Sequence, residues 1–162
     1  MKTHVEQLHK LGACQEGCTF ADQYATWQDC WDAIPRGDWS IWLLGKQCGP
    51  VDSSERHKLV GICAEIAREV LPFFEKRHPD DKRVRECLDV LDMYAAGKVT
   101  MDDVRKARRS AADAAYAYDA AYAAYAAYDA AYAAYAAYAR KSIRKKSADI
   151  VRKHYPVAPS LS

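Results

Sequence analysis

One decamer, YDAAYAAYAA, occurs twice in succession, at residues 118–127 and 128–137. Eight of the eleven tyrosines fall between Tyr116 and Tyr138, a stretch with no lysine or arginine. Alanine is the strongest helix former, so the stretch predicts one long helix. A tyrosine spacing of about 3.3 residues is shorter than the helical 3.6, so the rings wind backwards around the helix instead of forming a straight stripe. The remaining alanine face admits a second helix at close range. Thr100 and Asp103 provide a cap at the start, and the helix is expected to reach about His154. Unbroken, it would be about 80 Å long, against about 30–35 Å for a compact domain of this size. It must project, bend or break, and a break is expected at 139–146.

The rest of the chain is also helical in period, and no run alternates as a strand does. A short helix is expected over Val5–Leu11, with Thr3 as a cap. A second covers Ala21–Ile34, where Trp27 and Trp31 share a face, and Pro35-Arg36-Gly37 ends it. A third begins at Asp38 and carries Trp39, Trp42 and Leu43 up to Gly49-Pro50. Asp52 and Glu55 suit a capping box before an apolar face of Leu59, Ile62, Cys63, Ile66, Val70, Phe73 and Phe74. Pro72 predicts a kink or break in it. After the His78-Pro79 turn, a further helix runs to about Ala96, burying Val84, Cys87, Leu88, Leu91 and Tyr94, with Gly97 closing it. The fold class expected is therefore all-α: a single-domain bundle of about six helices over 1–155, with a flexible tail at 156–162.

Charge and cysteine usage narrow the function classes. Residues 1–99 carry 13 Lys+Arg against 16 Asp+Glu, and residues 100–162 carry 11 against 6, for a net charge of +2. That asymmetry is too mild to imply nucleic acid. The tyrosine stretch also lacks the interleaved cations with which base-stacking proteins follow phosphates. Asp119 and Asp129 interrupt the stretch, and alanine is near neutral on membrane scales, so no membrane span is expected. The N-terminal MKTHVEQLHKLGAC has no apolar core of a signal peptide. A cytoplasmic setting with six reduced thiols is the expectation. Cys14, Cys18 and Cys30 with His4 or His9 could be written as a zinc set, but the spacing fits one helical face equally well, and no metal or other cofactor is expected. Phosphate loops, metal motifs and nucleophile elbows are missing from the sequence, so no catalytic residues are assigned.

Three segments together resemble a known family: DWSIWLL at 38–44; CAE at 63–65 with VLPFFEKRHPDDKRVR at 70–85; and the alanine-rich repeat leading into KSADIVRKHYP at 146–156. In that order they resemble the helical immunity proteins found beside polymorphic toxins and in phages and prophages. The resemblance spans roughly 25–156 and is most specific over 71–85. It implies an all-helical, non-enzymatic protein that acts by binding. Members usually mix tryptophan and arginine into the alanine repeat, where this chain has tyrosine and no arginine.

The candidate binding residues are Trp39, Trp42, Glu75, Arg77, Asp80, Asp81, Arg83 and Arg85. Guanidinium forks recognise phosphate or carboxylate bidentately, and an aromatic wall stacks a planar ring. The same charges also suit a solvated helix start, and tryptophans commonly fill cores. Three modes of action follow. The chain masks a toxin or host-defence protein, or it sequesters a small anionic nucleotide with Arg77, Arg83 and Arg85 on phosphates and Trp39 or Trp42 on the base. In the third it is a homo-oligomer assembled along the tyrosine helix.

Overall fold

The computed structural model describes the backbone of residues 2–123 and 130–161, and the side chains of 2–113 and 141–161. Nine helices and no strand occur among the described residues: α1 Thr3–Leu11, α2 Gln15–Ala21, α3 Trp27–Ala33, α4 Gly37–Gln47, α5 Ser54–Arg68, α6 Leu71–Arg77, α7 Arg83–Ala95, α8 Met101–Ala123 and α9 Ala130–His154. The all-α class stands, with more and shorter helices than the six expected. The chain groups into two compact units, residues 1–47 with 144–162 and residues 48–143.

Local chemistry accounts for the extra boundaries. The expected helix over 21–34 is divided because Thr26 takes extended backbone and its hydroxyl accepts from the Asp29 amide, capping a new helix at Trp27. Ser53, one residue beyond Asp52, caps α5 by accepting from the Arg56 amide at 3.2 Å. Of the kink or break expected at Pro72, the structure has the break. The chain turns at 69–70 and Pro72 sits in the first turn of α6, where its missing N–H leaves no ladder bond unmade. That turn rotates Val70 and Phe73 off the buried face, leaving them 41% and 58% exposed. Thr100 and Asp103 form the expected box: the Thr100 amide donates to Asp103 Oδ2 at 2.9 Å, and the Asp103 amide donates to Thr100 Oγ1 at 3.4 Å. Gly97 closes α7 at φ 69°, a conformation glycine adopts without Cβ cost.

In the first unit Trp31 is fully buried, and Val5, Leu8, Cys18, Cys30, Leu43, Leu44, Ala148 and Val151 are buried in the same unit. The Trp31 indole N–H donates to the Tyr155 carbonyl at 2.9 Å, so a large buried ring leaves no donor unpaired. Residues 144–154 of α9 pack where α4 begins, and Arg152 Nη1 donates to the Ile34 carbonyl at 2.7 Å just beyond α3. Segment 139–146, where a break was expected, contains no proline or glycine and is helical throughout. Residues after Pro156, expected to be loose, are tied to α3. Trp27 Nε1 donates to the Pro159 carbonyl at 2.7 Å, Gln28 Nε2 to the Pro156 carbonyl at 3.2 Å, and the Ala158 amide to Gln28 Oε1 at 2.9 Å. Leu161 is 6% exposed.

In the second unit α7 packs against both α5 and α8. Leu59, Ile62, Ala64, Leu71, Leu88 and Tyr94 form the core. Gly61 brings α5 close to α7: a Cβ there would meet Ala95 Cβ at 3.2 Å. The Tyr94 hydroxyl donates to the Val51 carbonyl, and the His57 ring meets the Tyr94 ring edge-on at 4.5 Å. The start of the expected long helix is α8, and its end is α9. Residues 124–129 and the tyrosine side chains of 116–138 lie outside the described residues, and with them the winding of the rings and any interface they form. None of the described helices is long and apolar enough to cross a membrane.

Candidate functional site

Six of the eight predicted residues lie on α6, α7 and the turn joining them, in the second unit. The turn places helix starts and ends so that charges of opposite sign meet in pairs. Arg85 donates to Glu75 through both Nε and Nη2, each at 2.6 Å, across ten residues of sequence. Arg83 grips Asp81 in the same forked way, Nε to Oδ1 at 3.0 Å and Nη2 to Oδ2 at 2.6 Å, while its amide donates to Asp81 Oδ1 at 3.1 Å. Asp81 thus serves the N-terminus of α7 and an ion pair at once. The Arg85 fork holds the Glu75 carboxyl below the usual carboxylate range, and Glu75 in turn raises Arg85. Arg77 and Asp80 are exposed beside these pairs. Val70 and Phe73 stand exposed on the same short segment, so an apolar patch adjoins fixed charges in sequence.

Trp39 and Trp42 lie on α4 in the first unit, half-buried. They line a cavity of about 360 Å³ together with Leu8 of α1, Phe20 of α2, Trp27 and Cys30 of α3, and the backbone around Gly12–Cys14. Phe20 lies 5.5 Å from Trp39 and Trp27 6.0 Å from Trp31, centroid to centroid. Trp31 is core, whereas the other three tryptophans keep part of their surface open.

The polar part of this cavity was not foreseen. Arg36 crosses the Trp39 ring at 4.9 Å and donates to Asp38 through Nε and Nη2, at 3.2 and 2.7 Å, and to Glu16 through Nη1 at 2.8 Å. The Asp38 bond is the main cause that raises Arg36, and the same bond lowers the Asp38 carboxyl. Lys46 covers Trp42 at 5.8 Å. The available signal is Arg36 and Asp38 flanking the expected helix start at Asp38.

Among the described residues, no three His, Cys, Asp or Glu side chains gather as a metal site. The histidine and thiols of the zinc set have other neighbours: His4 Nε2 lies 3.1 Å from the Ala21 carbonyl, and Cys18 donates weakly to the Ala13 carbonyl at 3.9 Å. A second cavity, of about 580 Å³, lies in the second unit among Asp52, His57, Thr100, Met101 and Arg105, with Arg105 paired to Asp102 at 2.6 Å.

A model of the Imm-5 like putative immunity protein family matches residues 49–149, more than half of the chain. The match includes the α6–α7 corner and ends before the close of α9. No curated protein and no solved structure matches the chain.

Proposed function

Since the chain belongs to the Imm-5 like family of immunity proteins, we propose that it acts by binding rather than catalysis, neutralising a toxin or a host-defence component in bacterial or phage conflict. The family match over 49–149 carries this reading. The α6–α7 corner supports it. Phe73 and Val70 offer an apolar centre, and Glu75, Arg77, Asp80, Asp81, Arg83 and Arg85 offer charges, the combination in which interfaces join an anchor to a polar rim. Glu75–Arg85 and Asp81–Arg83 are already paired, so a partner meets oriented groups with less ordering left to do.

The second reading is sequestration of a small anionic nucleotide. The aromatic cavity at Trp39 and Trp42 favours it. Arg83 and Arg85, in the second unit, are already paired with Asp81 and Glu75.

The test is a protection assay in cells challenged with the cognate effector, with the chain supplied at graded levels. Stoichiometric masking gives protection that rises until chain and effector are equal. Phe73→Ala and Arg85→Glu should abolish it while the purified variants stay folded. Full protection at a small fraction of the effector's concentration would point to catalysis and sink the reading.

A further inference from the structure

We propose that the cavity of the first unit is a binding site for a small uncharged aromatic molecule of one or two rings. The site lies within residues 8–43, ahead of the family-matched 49–149, so the inference goes beyond the immunity reading and does not depend on it. Its ligand also differs from the anionic nucleotide weighed above.

Room and rings set the size and shape. A dry cavity of about 150 Å³ takes benzene, so one of about 360 Å³ accommodates a molecule of one or two rings. The space exists because Gly12, Ala13, Gly17 and Ala21 line it with nothing larger than a methyl. A β-carbon on Gly12 would meet nothing within 4 Å, and one on Gly17 would meet only Cys14 Sγ, at 3.6 Å. The lining also includes Phe20, Trp27, Trp39 and Trp42, none fully buried and none fully exposed. Contacts between aromatic rings gain beyond the area they bury, which favours a flat ring over a saturated one.

The charges of the lining are already satisfied. Among the described residues lining the cavity, Arg36 and Asp38 alone are charged, and they hold each other through two hydrogen bonds, at 3.2 and 2.7 Å. Arg36 also crosses the Trp39 ring, and Lys46 covers Trp42, so each of these rings already has its cation. The lining therefore carries no net charge. An entering ion of either sign gives up water without gaining a counter-ion, whereas an uncharged ring has no such loss.

Indole, tryptamine and indole-3-acetate share a ring system and differ in charge; phenol and cyclohexanol share size and hydroxyl and differ in aromaticity. Calorimetric titration of each into the full chain measures binding. Alkylation of Cys14, an exposed thiol lining the cavity, reports where binding occurs. Indole should bind one to one, more tightly than either charged counterpart, and slow Cys14 alkylation. Phenol should bind severalfold more tightly than cyclohexanol. Gly17→Leu puts a side chain into the space and should abolish indole binding while the chain stays folded by circular dichroism. The Cys14 readout on the unaltered chain decides the matter even where that variant does not fold. No saturable indole binding up to its solubility, unchanged Cys14 alkylation, or either charged counterpart binding as tightly as indole would overturn the proposal. So would cyclohexanol matching phenol, or indole still binding to folded Gly17→Leu.

Discussion

Gly37 stands against Ser147: a β-carbon on Gly37 would lie 2.3 Å from Ser147 Cβ and 2.6 Å from its carbonyl carbon. The first turn of α4 therefore meets α9 backbone to backbone, with Ala148 fully buried alongside. Gly37→Ala has nowhere to place its methyl and should destabilise the protein by about 1–3 kcal/mol, the usual cost of overpacking. Gly45, in the same helix, has open space where its Cβ would go, so Gly45→Ala should stabilise by about 0.5–1 kcal/mol. Paired denaturant titrations measure both. The opposite signs expected at Gly37 and Gly45 make the pair a check on the α4–α9 contact itself.

Acid should loosen the ion pairs in a predictable direction. The folded carboxyl of Asp38 is lowered chiefly by its bond to Arg36, those of Glu75 and Asp103 by bonds to Arg85 and Thr100. A lowered folded pKa means the unfolded chain binds protons first. The stabilisation is thus complete above the unfolded value of about 4 and is lost as the pH falls through the lower folded values. Thermal midpoints of wild type and Asp38→Asn should differ at pH 7 and converge toward pH 3. A gap that is constant with pH would show that the Arg36–Asp38 pair contributes no pH-linked stability.

How much of this was legible in the sequence depended on the range of the force concerned. Helix content followed from period and propensity, and the Thr100–Asp103 box from three-residue spacing, because both are local. Val70 and Phe73 were assigned to the core by periodicity, yet the turn at 69–70 exposes them. Pro72 signals that the helix breaks, but not which way Val70 and Phe73 face after the break. The charges at 75–85 were found, but not their pairing as Glu75–Arg85 and Asp81–Arg83, since a turn between helices sets which ends meet. The Arg36–Glu16 pair spans twenty residues and has no spacing signature at all.

The tie between the C-terminal segment and α3 predicts a cost for altering it. Leu161 buries its side chain, and Trp27 and Gln28 hold the backbone at Pro156, Ala158 and Pro159. Leu161→Ala should lose about 2 kcal/mol. Removing 157–162 should lose more and raise the exchange rate of α3 amides. Hydrogen exchange on the truncated chain checks this, and unchanged protection of α3 would contradict it.

The thiols should separate by reactivity. Burial pushes the Cys30 thiol up to about 11 and raises Cys18, whereas Cys14 is exposed. At pH 8, alkylation of the folded chain should reach Cys14 first and Cys30 last, because the thiolate is the reacting form. Mass spectrometry of timed samples reads the order directly. Early labelling of Cys30 would mean that the first unit opens on the labelling timescale.

Native mass spectrometry of the chain recovered from protected cells tests the central claim most directly. The account predicts that the 18.2 kDa chain is carried in a complex of fixed stoichiometry with the neutralised component, and that Phe73→Ala and Arg85→Glu release it. A chain that protects cells fully while recovered wholly free, at its own mass, would contradict an action by binding.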